Sequence, residues 1–384
     1  MPRLDYRTAG ESHGPALTTL IEGFPAGVPC DLDRINAELK RRQGGYGRGG
    51  RMKIESDAVT PLAGVRLGRT TGAPIVLQIA NNDSRLDAAP AVHHPRPGHA
   101  DLAGSLKWLT ADCRETLERA SARETAARVA AGALAKCLLR EFGVECVGFV
   151  ASIGPIDARP ADDAPASALR AARDHNEMYA ADPAAAARMI EVIRDAKKSG
   201  DTIGGVVEIR VFSVPPGLGS CAAWQEKLDG RLMQAVGSIQ AFKGVEIGLG
   251  FEAAKRPGSQ VHDAIYFDAA QRNTPNFGFT RHTNRAGGLE GGMTNGQPIV
   301  IRGAMKPIST LMQGMDSVDL RTLTPQRSDY ERSDICAVPA ASVVAENVVA
   351  FEIARAWLDK FAGDTLQEVR AAYENYAAAV RGLA

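Results

Sequence analysis

Two histidines stand in loops where an imidazole could move protons near neutral pH: His13 in Gly10-Glu11-Ser12-His13-Gly14, and His99 in Arg96-Pro97-Gly98-His99-Ala100-Asp101. The first segment also matches the G-x-S-x-G spacing of a nucleophile elbow, which would make Ser12 a hydrolase nucleophile. An elbow needs a strand before it and a helix after it. Only nine residues precede this one, and the alternation from Ala16 to Ile21 predicts a strand next. The second segment follows His93 and His94, and three histidines so close together invite a metal. Their spacing fits no standard zinc pattern, prolines oppose a helical ligand face, and no cysteine or glutamate lies close, so no metal is expected. His93 and His94 receive no role.

Between Arg34 and Lys53 there are seven basic residues and one acid, Glu38, and this stretch contains the glycine-rich run Arg41-Arg42-Gln43-Gly44-Gly45-Tyr46-Gly47-Arg48-Gly49-Gly50-Arg51. Guanidinium groups bind phosphate and carboxylate through paired hydrogen bonds, and glycines let a loop fold closely around the bound group. The competing readings are RNA binding through an arginine-glycine tract and a solvated basic loop. A second anion site is suggested by Arg119-Ala120-Ser121 at the start of a predicted helix, where free amides and the helix dipole favour negative charge. An ordinary cap would account for Ser121 equally well. Gly287 to Gly296, Lys306-Pro307-Ile308-Ser309-Thr310 and Glu331-Arg332-Ser333-Asp334 are each weak alone, reading as turns, a loop and an ion pair. No dinucleotide fingerprint of strand, G-x-G-x-x-G and helix in succession is present, nor is a Walker A loop.

The elements that must carry these loops are mixed α and β. Alternation predicts strands at Ala16 to Ile21, Ile75 to Ala80, Val206 to Val214 and Pro298 to Ile301. Helices are predicted over Asp31 to Gln43, Ser121 to Arg140 with a Ser121/Glu124 capping box, Pro183 to Lys198, Trp224 to Val236, and Val343 to Phe361. Asp157 to Ala187, rich in Ala, Asp and Pro, reads as a surface excursion rather than a linker, so one domain over 1–384 is expected. Its 45 basic and 45 acidic residues cancel, which argues against a nucleic-acid coat or an acidic tail protein. The six cysteines show no close pairing and read as reduced, mostly buried thiols. No apolar stretch is long enough for a membrane span and the N-terminus lacks a signal peptide's apolar core, so a cytoplasmic protein is expected. The 39 glycines imply many close backbone approaches.

Taken in order, GESHG, RRQGGYGRGGRM, RPGHAD, RxSARETAARVAAGA, GDTIGG, AFKGVEIGLGF, AGGLEGGMTNG, KPIST and RSDICAVP make the chain resemble the chorismate synthase family from about residue 10 to residue 339. The resemblance implies an α+β fold, a β-α-β sandwich with helices between antiparallel sheets, assembled as a homotetramer. It implies a carbon-oxygen lyase of the shikimate pathway, which forms chorismate and phosphate from 5-enolpyruvylshikimate 3-phosphate by a 1,4-anti elimination requiring reduced FMN. By the same resemblance, His13 assists the leaving phosphate, His99 serves proton transfer at the reduced flavin, and Asp334 is the carboxylate near its reactive ring nitrogen. FMN contacts fall to Arg119, Ala120, Ser121, Gln240, Ala241, Gly291, Lys306, Pro307, Ile308, Ser309, Thr310 and Arg332. Arg42 and Arg48 match arginines assigned to NADP(H), yet suit the substrate's phosphate and carboxylates equally well. NADPH would serve only as an electron source, and an external flavin reductase is the expected supply because no reductase domain is visible. The chain departs from the pattern at Gln240, where many relatives carry asparagine.

Overall fold

The computed structural model describes residues 3–49, 56–331 and 333–383. Its helices are α1 (Leu32–Gln43), α2 (Asp101–Trp108), α3 (Arg114–Ala120), α4 (Thr125–Arg140), α5 (Ala166–Asp174), α6 (Pro183–Lys198), α7 (Leu228–Gly237), α8 (Val338–Lys360) and α9 (Leu366–Arg381). Two antiparallel sheets flank the central helices α4 and α8, and α5 packs on the outer face of the second sheet against Val147 and Phe149. The first has the strand order Asp5–Ala9, Ala16–Glu22, Ile75–Ala80, Val59–Ala63, with Leu17 opposite Ile79. In the second the order is Phe242–Ile247, Ile299–Met305, Gly205–Phe212, Glu145–Ile153, Ile156–Asp157, with Ile301 opposite Ile209.

α4 packs on the first sheet, α8 on the second, and α4 and α8 lie against each other, so the helices fill the space between the sheets. Both helices are apolar nearly all round, as a helix with no solvent face must be. The strands of the first sheet alternate instead: Leu17, Thr19 and Ile21 point inward from one strand and Ile75, Leu77 and Ile79 from another. Two glycines set the spacing of the layers. A Cβ at Gly132 of α4 would lie 2.1 Å from the Asn347 carbonyl of α8, and one at Gly148 would lie 2.6 Å from the Ser342 carbonyl, so neither position has room for a side chain.

Several boundaries differ from expectation for local reasons. The helix predicted from Ser121 begins at Thr125, after a 3-10 turn over Ala122–Glu124 that Ser121 caps by accepting from the Arg123 N–H. Glu124 does not complete a capping box, because its carboxylate is taken by Thr8, Arg128 and Gln240 from outside that turn. α8 starts before the predicted Val343, with Pro339 in its first turn, where a missing N–H costs nothing. Trp224–Glu226 forms a 3-10 turn ahead of α7, and the strands predicted at Val206 and Pro298 run over Gly205–Phe212 and Ile299–Met305. Asp182 and Pro183 start α6 as read from the sequence. All six cysteines are free and only Cys221 is exposed. Among the described residues no helix is long and apolar enough to cross a membrane, and no group of three His, Cys, Asp or Glu side chains is arranged to hold a metal.

Candidate active site

The loops between these layers meet at a cavity of about 380 Å³. His13 enters from the turn joining the first two strands, which is why Ser12 fails as an elbow nucleophile: a strand, not a helix, follows it. Arg42 comes from the end of α1 and Arg48 from the loop after it; Arg96 and His99 precede α2; Arg123 sits between α3 and α4. Lys306, Ser309 and Thr310 follow the strand Ile299–Met305, and Asp334 precedes α8.

Positive charge dominates the lining. Arg42, Arg48, Arg96, Arg123 and Lys306 face it, against Glu331 and Asp334. Buried Asp57 serves two of the arginines at once, accepting from Arg42 at 3.1 Å and Arg123 at 2.5 Å. Burial lowers the Arg42 guanidinium, Asp57 opposes the shift, and repulsion from Arg123 and Arg48 helps bring it down to about 10. Lys306 is lowered by its burial and by nearby Lys243, and its Nζ donates to Ser309 Oγ at 2.8 Å. Such crowding of buried cations favours a multiply charged anion, which would relieve the repulsion on binding.

Asp334 accepts from the Gly49 N–H at 2.6 Å and lies 2.8 Å from Arg48 Nη1, which ties Arg48 and Gly49 to the start of α8. His99 Nδ1 is hydrogen-bonded to Asp101 Oδ1 and lies 2.9 Å from Arg96 Nη2. Arg96 also donates from its Nε to Asp101 Oδ2 at 2.8 Å. Burial alone would raise the Asp101 carboxyl, but the hydrogen bonds from His99 and Arg96 hold it well below the usual carboxylate range. His13 Nδ1 meets the buried carboxylate of Glu118 at 2.9 Å.

Ala120, Ser121, Gln240, Ala241 and Ile308 also line the cavity, alongside His13, His99, Asp334, Arg42 and Arg48. Three residues expected at FMN lie outside the lining of this cavity. Arg119 turns away and donates to the Gly10 and Thr8 carbonyls at 3.1 and 3.0 Å. Gly291 makes the tight turn between Leu289–Glu290 and Met293–Thr294, and Pro307 is outside the lining. Arg332, like Gly50 and Arg51 of the basic tract, lies outside the described residues. His93 bonds the Ala111 carbonyl and His94 bonds Asp329, both away from the lining. Ser12, Arg96, Arg123, Glu331 and Ser333 line the cavity without having been singled out for it. All five belong to the short motifs around His13, His99, Ser121 and Asp334; the supporting Glu118 and Asp57 carry no local signal.

The family model described as chorismate synthase matches residues 4–358. A chorismate synthase of Desulforamulus reducens is 54% identical over 380 residues, covering 96% of this chain and 97% of that protein. One of Pelobacter propionicus is 53% identical over 396 residues, covering 99% and 100%. A solved structure titled as a crystal structure of chorismate synthase superposes with a TM-score of 0.82 at 41% identity and covers 100% of both chains.

Proposed function

The chain belongs to the chorismate synthase family and is a lyase of that kind; from this premise we propose that its cavity binds reduced FMN together with 5-enolpyruvylshikimate 3-phosphate and releases chorismate and phosphate by 1,4-anti elimination. The observation that carries the reading is that five cationic side chains and two histidines line one cavity. A substrate with one phosphate and two carboxylates needs such a lining.

The residues present fit a flavin mononucleotide. Gln240 donates to Glu124 at 3.0 Å, but its buried Oε1 has no hydrogen-bond partner, and an acceptor left so suits a ring N–H. Lys306, Ser309 and Thr310 supply a cation and hydroxyls suited to a phosphate. When bound, reduced flavin supplies electron density that helps phosphate leave and takes it back with the hydrogen. His13 holds the proton passed to the leaving phosphate, His99 moves a proton beside the flavin, and Asp334, fixed by Arg48 and Gly49, takes up the proton released at the end. Arg42, Arg48 and Arg123 orient the anionic substrate. The reading extends to a single domain over 1–384, a homotetramer, a cytoplasmic setting and electrons from an external flavin reductase, with NADPH as the ultimate donor at most.

The test is anaerobic: protein, chemically reduced FMN and 5-enolpyruvylshikimate 3-phosphate, following chorismate absorbance and phosphate together, with oxidised FMN as control. Matched product only with reduced flavin is expected. Folded protein that binds neither FMN nor the substrate would return the basic tract to the RNA reading, which a steep salt dependence of RNA affinity would then support.

A further inference from the structure

His13 is held from behind by a residue remote in sequence. Glu118 of α3 has no exposed side-chain surface. Both its carboxylate oxygens lie 2.9 Å from His13 Nδ1, and Oε2 also accepts the His13 backbone N–H at 2.9 Å. The neighbouring Ser12 N–H donates to the Glu118 carbonyl at 3.1 Å. Arg114, one helical turn earlier, donates to Oε1 at 3.2 Å. Two residues of the turn are thus docked on one residue of α3. Burying a carboxylate is costly unless it is paired and hydrogen-bonded, and Glu118 is held by Arg114 on one side and by the His13 backbone and ring on the other.

The arrangement has a chemical consequence for the ring. An ionised carboxylate only accepts hydrogen bonds, so Nδ1 must carry its hydrogen whether the imidazole is neutral or charged. Burial alone would raise the Glu118 carboxyl, but the bonds from His13 and Arg114 hold it below the ordinary range. Nε2 is left as the nitrogen that gains and loses a proton. The carboxylate beside it, Asp83, is 3.6 Å away, beyond hydrogen-bond distance, and is paired with Arg85 at 3.0 Å.

We propose that Glu118 is a positioning residue of the reaction: its carboxylate fixes His13 as the Nδ1–H tautomer, so that Nε2 alone exchanges a proton with the departing phosphate. The proposal rests on the reading of His13 as the group at the leaving phosphate. In that step the C–O bond breaks with its electron pair leaving on the phosphate oxygen, the electrons of the C–H bond cleaved in the same elimination supply the new carbon–carbon double bond, the Nε2 proton of the imidazolium passes to the phosphate, and the neutral Nδ1–H ring regains a proton from the solvent that receives the one lost from the C–H carbon.

Three measurements test it. Histidine nitrogens labelled with 15N in the wild-type chain, with His13 assigned by its loss in His13→Ala, should show neutral His13 protonated at Nδ1 and bare at Nε2. Glu118→Gln keeps the size and loses the charge and the acceptor-only character; its kcat should fall roughly 10- to 100-fold with KM changed less than about 3-fold. The double variant with His13→Ala should be no slower than His13→Ala alone, since Glu118 acts through the ring. An Nε2–H tautomer in the wild type overturns the proposal, as does a double variant slowed by the full Glu118→Gln factor. Slow His13→Ala with normal Glu118→Gln removes Glu118 only, whereas normal turnover in His13→Ala removes His13 from the reaction and the proposal with it.

Discussion

The two histidines of the cavity are each backed by a buried carboxylate at Nδ1, yet the two supports are built differently. His13 faces Glu118, which is 105 residues away and presents only acceptor atoms to the ring. His99 faces Asp101, two residues away, and the same nitrogen also has the Arg96 guanidinium at 2.9 Å. Nδ1 of His99 can therefore donate to Asp101 or accept from Arg96, and either tautomer has a partner without the ring moving. Nδ1 of His13 can only donate. A ring with one tautomer suits a single repeated proton transfer at one nitrogen, while a ring with two suits a proton that must be delivered and reset beside a cofactor.

The largest effects expected are on the rings themselves. His99→Ala and His13→Ala should each cut anaerobic turnover by about 10² to 10⁴ while circular dichroism stays unchanged; near-normal turnover in either removes that half of the comparison. Asp334→Asn should lose turnover and still bind FMN, measured by flavin titration, and loss of FMN binding would instead make Asp334 a ligand. Asp101→Asn should lower kcat by roughly 10- to 100-fold and also raise KM, because it frees Arg96 of the cavity lining as well as His99. That split from Glu118→Gln is the sharpest check on the difference between the two supports, and identical kinetic behaviour in both variants would erase it.

A third buried carboxylate shows what a purely structural one looks like. Glu346 of α8 accepts from Arg41 at 2.6 Å, from Arg173 at 3.0 Å and from the Gly148 N–H at 2.9 Å, and is bonded to Lys136, all outside the cavity lining. Glu346→Gln should leave kcat unchanged and cost about 3 to 5 kcal/mol in chemical denaturation, the scale for breaking a buried ion cluster. Burial would raise this carboxyl, but Arg41, Lys136 and Arg173 hold it well below the usual range. Its contribution is therefore present above about pH 4.5, the value in the unfolded chain, and lost as pH falls, so the variant's stability should fall less on the acid side. The smallest effect belongs to His94→Gln, whose partners Asp319 and Asp329 lie away from the lining: turnover should stay within about twofold.

Local signals in the chain announced much of this. Arg96, His99 and Asp101 sit within one short motif, and a support two residues away is legible because the turn itself delivers it. The two inner strands of the first sheet, Ala16–Glu22 and Ile75–Ala80, and α6 followed from alternation and from Asp182-Pro183, whose periods and capping chemistry act over a few residues, whereas the outer strands Asp5–Ala9 and Val59–Ala63 bury too little to show that alternation. The capping box expected at Ser121 failed because Thr8, Arg128 and Gln240 compete for Glu124, and two of those three come from distant elements.

Short-range pattern therefore sets the menu of groups: two histidines in loops, an excess of arginine beside glycine, a strongly apolar α8, and motifs that resemble one family. Long-range packing settles which groups share a cavity, that Arg119 bonds the Thr8 and Gly10 carbonyls outside the lining, and that Glu118 stands behind His13. The reason is physical. Hydrophobic period and capping act between near neighbours, whereas pairing a buried carboxylate with a ring 105 residues away depends on how two sheets and the helices between them close together.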